Sequence, residues 1–258
     1  MIVTTAYAAW LDKMERKWYG VKPGVWLEDH LVEGFLSQEI DIVIDELVAK
    51  HRRPPQNVRL DRESGQIIKE KFGCEVDIQQ TKQKVMQAGP NQKLSLITNQ
   101  ILPMHTAAEL ENVDRPIGTY STWFYGSWQR HQNIELALRS INNTIIWPKK
   151  RFSFNETVGP RTPERGYSPA PVIGGDGLGF GGGVCQVSST LYNAALEAKL
   201  LVIARYPHSS PVHYVPKGKD ATVVYGAQDL VLENNYDYPV IIQGVIYRGK
   251  ITVSIKGK

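Results

Sequence analysis

Cysteine is scarce in this chain: 258 residues contain only Cys74 and Cys185. That count excludes a disulfide-stapled scaffold, and a chain of this length buries enough core to need none. A single Cys74–Cys185 bridge stays arithmetically open, but Cys74, in Lys71-Phe72-Gly73-Cys74-Glu75, reads as a small buried residue. Long hydrophobic runs are missing too, and nothing approaches the roughly 18 apolar residues of a membrane span. There is no internal repeat and no low-complexity tract. The formal net charge of +4 is scattered, with no basic stripe interleaved with aromatics, so nucleic acid is not an expected partner. A polyanionic surface such as a cell wall suits the mildly basic chain equally well. Nothing in the sequence speaks for a particular oligomeric state.

Cofactor signatures are weak as well. A literal G-x-G-x-x-G occurs at Gly177, Gly179 and Gly182, but no acidic residue follows about 20 positions on, and no βαβ unit or Lys-Ser/Thr accompanies it. Cys185, His208 and His213 could in principle bind zinc. An odd separation puts the two histidines on opposite faces of a strand, so no metal is expected. His30, His51 and His105 have no motif around them, and His131 reads as exposed at a helix start.

Three regions are expected. Residues 1–50 read as a helical or mixed segment, with Ser37 as N-cap of a helix that Arg52-Arg53-Pro54-Pro55 ends. The opening Met1 to Trp10 is a short apolar run. It reads either as the first turn of a helix or as the tail of a signal or anchor segment that begins upstream. Residues 51–112 read as a small α+β module. Residues 113–258 read as the main domain: a helix over Asn133 to Trp147, a long Pro/Gly-rich loop from Val158 to Gly183, a helix from about Cys185 to Lys199, and then strands. The strands are expected at Leu201–Tyr206, Val212–Val215, Ala221–Tyr225, Leu230–Leu232, Val240–Tyr247 and Ile251–Ile255. The fold class is therefore α+β, with a cysteine-bearing helix packed on a mostly antiparallel sheet.

What the chain does have is Gly181-Gly182-Gly183-Val184-Cys185-Gln186-Val187-Ser188-Ser189-Thr190. Cys185 stands where a glycine-lined turn becomes a helix N-terminus. Unpaired N–H groups and a partial positive charge favour a thiolate there. A thiolate nucleophile needs a base, and the base needs an orienting group. His208, between Pro207 and Pro211, is the better histidine, and Asp220 could set its tautomer. The layout is papain-like: thiol on a helix end, imidazole from an adjacent strand, third polar group from a neighbouring strand. Gly183, Gln186 and Ser189 would line the substrate side, with the N–H groups of Cys185 and Gln186, or the Gln186 side chain, facing an oxyanion. Arg161 and Arg165 on the long loop suit a substrate carboxylate. Plainer readings stand beside each of these: glycines that permit helix packing, a structural histidine, a turn aspartate, solvated arginines.

Phe152-Ser153-Phe154-Asn155, Val158-Gly159-Pro160-Arg161-Thr162, the Gly181–Ala195 segment, His208-Ser209, Tyr214-Val215-Pro216, Asp220-Ala221-Thr222-Val223 and Tyr225-Gly226, in that order, resemble the VanW family. Residues 51–112 resemble the peptidoglycan-binding-like module that often precedes that domain. The resemblance implies an extracytoplasmic protein of the Gram-positive cell envelope, related to vancomycin-resistance accessory proteins. It implies peptidoglycan stem peptides as partners, with L,D-transpeptidase chemistry through Cys185, His208 and Asp220. Carboxypeptidase action at the same site, or a non-catalytic binding or accessory role, are the alternatives it leaves.

Overall fold

The structure, a computed structural model, describes residues 2–173 and 177–258. Its chain forms two compact units. One comprises residues 1–57 and 70–105, the other residues 58–69 and 106–258. No described helix is long and apolar enough to cross a membrane.

In the first unit the opening apolar run belongs to the helix Ile2–Tyr19. The next helix, Ser37–His51, buries Ile40, Val43, Ile44 and Leu47, as its apolar spacing requires. Ser37 is its first helical residue and not its cap. The Glu39 carboxylate accepts the Leu36 N–H at 2.8 Å and pairs with Arg16. A third helix, Ile78–Met86, is capped by Asp77, which accepts from the Gln80 N–H. These elements close on Val21, Leu27 and Val85.

The second unit is built on a four-stranded antiparallel sheet in the order Arg115–Trp123, Lys250–Gly257, Val240–Tyr247, Thr144–Ile146. Alternation places Ile251, Val253 and Ile255 on one face, all fully buried. Two helices cover that face: Trp128–Ile141 and the cysteine helix, Val184–Glu197. The cysteine helix can lie this close because Gly118 has no side chain. A Cβ there would come within 2.4 Å of the Ala194 carbonyl and the Ala198 nitrogen. Val184, Val187, Leu191 and Ala194 form the helix's buried stripe. Each large apolar side chain buried this way contributes about 1.5–3 kcal/mol. The hairpin Arg59–Leu60/Ile67–Ile68 belongs to this unit, where the Arg62 carbonyl accepts from Asn142 and Asn143.

The α+β class and the cysteine helix on an antiparallel sheet match the sequence reading. Three local expectations do not. The helix expected over Asn133 to Trp147 stops at Ile141; Asn143 turns left-handed (φ 53°), and the β-branched Thr144–Ile146 becomes an edge strand. Val212–Val215 and Ala221–Tyr225 are not strands. Both lie in irregular chain; in the second, the Ala221 carbonyl and N–H and the Val223 N–H bond to Ser188, Ser189 and Cys185 of the cysteine helix. The long Pro/Gly stretch carries a short hairpin, Pro169–Pro171 with Leu178–Phe180.

Candidate active site

Three glycines shape the entrance to the cysteine helix. Gly181 (φ 83°) and Gly183 (φ 106°) both need left-handed backbone. A Cβ on Gly182 would meet the Ala170 carbonyl at 2.6 Å, and one on Gly183 would meet Ile134 at 2.9 Å. Packing alone therefore accounts for the glycines, which by themselves say nothing about the thiol. Asn133, fully buried, fixes this turn from the neighbouring helix by donating to the carbonyls of Ser168 (2.9 Å) and Gly182 (3.1 Å).

The next residues of the motif tie the site together. Ser188 donates to the Ala221 carbonyl at 2.7 Å, and Ser189 accepts the Ala221 N–H at 2.9 Å. Asn193 donates to the Lys219 carbonyl at 2.7 Å. The irregular stretch that carries Asp220 is thus laced onto the helix that carries Cys185. It in turn holds the histidine segment, since the Thr222 N–H donates to the Tyr206 carbonyl at 2.8 Å.

Asp220 reaches His208 twice. One carboxylate oxygen accepts the His208 N–H at 2.6 Å and lies 2.8 Å from the imidazole Nδ1. The other accepts from Arg205 at 2.7 Å. Burial works against the Asp220 carboxylate, but these hydrogen bonds outweigh it and hold the acid below its ordinary range. An ionised carboxylate can only accept, so Nδ1 carries the proton and Nε2 is the open nitrogen. The imidazole is nearly buried, and Nε2 has no hydrogen-bond partner among the described residues.

Cys185 and His208 line one cavity of about 380 Å³, together with Arg130, Arg161, Tyr214 and Thr222. The sulfur lies 3.5 Å from the Val223 N–H, which donates to it, and 3.6 Å from the Val223 carbonyl. Burial pushes the thiol above its ordinary value, although the Val223 N–H, Arg161 and Arg130 all pull it down. The helix end does not deliver the ready-made thiolate expected from the sequence. Cys185 retains some surface on the cavity, yet dense protein around the sulfur dominates. Burial likewise pushes the Tyr214 phenol up, and its nearness to Cys185 adds to this.

The structure does not bring all of the expected residues to the cavity. Arg165 points away and donates to the Val158 carbonyl at 2.8 Å, outside the lining. Ser189 is fully buried and outside the lining, where it accepts the Ala221 N–H and donates to the Cys185 carbonyl. Gly183 and Gln186 do line the cavity. The Gln186 side chain is fully engaged, donating to Thr122 and the Trp123 carbonyl and accepting from Arg130 at 2.8 Å. Its N–H is also taken, by the Gly183 carbonyl at 3.0 Å. Among the described residues, the Cys185 N–H, at the second helical position, is in the class of helix-start donors suited to an oxyanion. The papain-like layout is not reproduced, because His208 and Asp220 sit on irregular segments and not on strands. His213 is exposed, and no group of metal-ligating side chains is found among the described residues. Both cysteines are free.

Arg130 escaped the sequence reading because it belongs to a different helix, 56 positions from its partner Gln186. Its one sequence signal was its place in Trp128-Gln129-Arg130-His131, on the first turn of that helix.

Residues 129–256 match the family model described as VanW like protein. The chain is 36% identical over 220 residues to a Bacillus subtilis (strain 168) protein named "Uncharacterized protein YoaR", an overlap of 82% of this chain and 72% of that one. It is 29% identical over 137 residues to the "Vancomycin B-type resistance protein VanW" of Enterococcus faecalis (strain ATCC 700802 / V583), covering 50% of each. No solved structure matches the chain significantly. On the extent and identity of these matches, the chain belongs to the VanW family.

Proposed function

We propose that the second unit is a cysteine-dependent acyltransferase acting on peptidoglycan stem peptides, as an L,D-transpeptidase of the cell envelope. One observation carries the reading. His208 Nε2, Arg161 Nη2 and Thr222 Oγ1 are buried, have no hydrogen-bond partner among the described residues, and line the same cavity as Cys185. Buried polar atoms are rarely left unsatisfied in a native protein, so a cluster of them beside a thiol marks a place prepared for a ligand.

Cys185 rests as a thiol, and His208 Nε2 is the open imidazole nitrogen on the same cavity. Nε2 takes the proton from Sγ as sulfur attacks the donor carbonyl, and Asp220 stabilises the resulting imidazolium. The Cys185 N–H faces the oxyanion. Collapse breaks the donor's C–N bond, and the imidazolium returns its proton to the departing amine, a terminal D-amino acid. A second stem's amine then attacks the thioester, Nε2 accepts that amine's proton, and sulfur leaves and is reprotonated. With water as acceptor the same site is a carboxypeptidase.

Mass spectrometry of defined muropeptides incubated with the protein tests this. Cross-linked or shortened products are expected with the native chain, along with a thioester-linked acyl-enzyme. Neither is expected with Cys185→Ala of unchanged circular dichroism. Unaltered turnover by that variant would falsify the mechanism. The raised thiol favours a second reading, a non-catalytic wall-binding or resistance-accessory protein with the first unit as a wall grip. Tight muropeptide binding without turnover by the native chain would support it.

A further inference from the structure

We propose that Arg130 and Arg161 form an anion subsite beside Cys185, and that it reads the free carboxylate of the group expelled from the acyl donor. The enzymatic part of this rests on the function proposed above; the subsite itself does not.

Both guanidinium groups line the cavity that Cys185 lines, and both are held in place by neutral partners. Arg130 donates to the Gln186 amide oxygen at 2.8 Å, and Gln186 is itself locked by Thr122 and the Trp123 carbonyl. Arg161 donates to the Gly159 carbonyl at 3.1 Å and lies 5.7 Å over the Phe154 ring. Its other terminal nitrogen, Nη2, is buried and has no partner among the described residues. None of the described lining residues is an aspartate or glutamate. Asp229 lies within electrostatic range of Arg161, but its carboxylate already accepts from Ser153 and the Asn155 N–H.

Two positive charges are thus held in a partly closed space with the Arg161 Nη2 donor unfilled, which is costly unless a ligand anion completes the arrangement. Burial lowers the pKa of both arginines, the mark of charge held away from solvent. The sulfur does not serve as the missing anion at rest, since the thiol stays protonated. A carboxylate one residue beyond the scissile carbonyl fits this geometry. A donor that continues past that residue, or ends in an amide, presents no charge to it.

The thiol itself supplies a test free of any peptide. Iodoacetate and iodoacetamide differ only in the charge of one small group, and each transfers its carbon to sulfur with loss of iodide. Their relative rates at Cys185 are read by peptide mass spectrometry in the folded protein and in urea, where the same thiol has no subsite. The ratio of iodoacetate to iodoacetamide reactivity is expected to be about tenfold or more higher in the folded protein, the scale of one charge-assisted contact. It should fall towards the urea value in Arg161→Gln and Arg130→Gln. An unchanged or lower ratio on folding overturns the subsite, as does a folded Cys185 that neither reagent reaches.

A second arm compares tetrapeptide donors ending in a free acid or an amide. Turnover of the acid alone, lost in Arg161→Gln, supports the specificity role, whereas equal turnover of both overturns it. A raised alkylation ratio with no turnover of either donor keeps the subsite and discards the transpeptidase reading.

Discussion

Cys185 and Asp220 are displaced from their ordinary acidities in opposite directions, and each displacement has a signed consequence. The folded chain holds the Cys185 proton more tightly than the unfolded chain does. Its contribution to stability is therefore intact below the ordinary thiol value of about 8.5 and is lost as pH rises through the folded value. Denaturation midpoints measured across that alkaline range should fall more for the native protein than for Cys185→Ala. Asp220, held low, behaves in reverse: its contribution is present above the ordinary aspartate value of about 3.9 and is lost as pH falls through the folded one. Alkylation of Cys185 by iodoacetamide should reach half its maximal rate above a pH of about 8.5, the free-thiol value. Half-maximal reaction at neutral pH would instead reveal a preformed thiolate and remove the need for His208 to act as base. If the transpeptidase reading holds, Asp220→Asn should lower turnover by roughly 10²- to 10⁴-fold, because Nδ1 would no longer be kept protonated. A smaller loss would reduce Asp220 to a structural role.

At the level of elements, the turn ahead of the cysteine helix is the least forgiving part of the site. Gly183→Ala places a Cβ on left-handed backbone and against Ile134 and Arg130. The expected cost is on the order of 1–3 kcal/mol, read as a lower thermal midpoint. A midpoint equal to that of the native protein would mean the turn can rearrange freely. The cysteine helix itself was legible in the sequence because Val184, Val187, Leu191 and Ala194 repeat at helical spacing and are buried in the structure. The meeting of His208 and Asp220 was legible too, since both lie in short segments stiffened by prolines and turns. The surrounding backbone was not. Val212–Val215 and Ala221–Tyr225 have the composition of strands, but at Ala221 the carbonyl and N–H that a sheet ladder would have used go to Ser188 and Ser189. No local pattern announces that substitution. Arg130 was hidden for a related reason: its role depends on how one helix packs beside another, and Gln186, which holds it, was read as a substrate contact. Residue type and proximity in sequence do not show that Arg165 and Ser189 would bond to the Val158 and Cys185 carbonyls and stand outside the cavity lining.

The described residues form two hydrophobic cores that share no residue, one around Ile40, Ile44 and Leu47, the other around Ile134, Leu191, Ile242 and Val253. Leu191→Ala should cost about 2–5 kcal/mol in the second core. Ile44→Ala should do the same in the first. Hydrogen exchange should show each substitution loosening amides of its own unit and sparing the other; loosening of both to the same extent would show a single cooperative block.

The hairpin at residues 58–69 makes the two units interleaved in sequence, because the chain leaves the first, contributes this excursion to the second, and returns. No single cut can therefore free either half intact. A fragment starting at residue 106 would strip the Asn142 and Asn143 amides of the acceptors supplied by residues 61 and 62. Proteases nicking near residues 57 and 70 would split the first unit's chain in two and sever from the second the peptide that carries its hairpin. Selection on the cysteine-bearing half must then preserve a dozen or so codons that lie inside the gene segment for its neighbour.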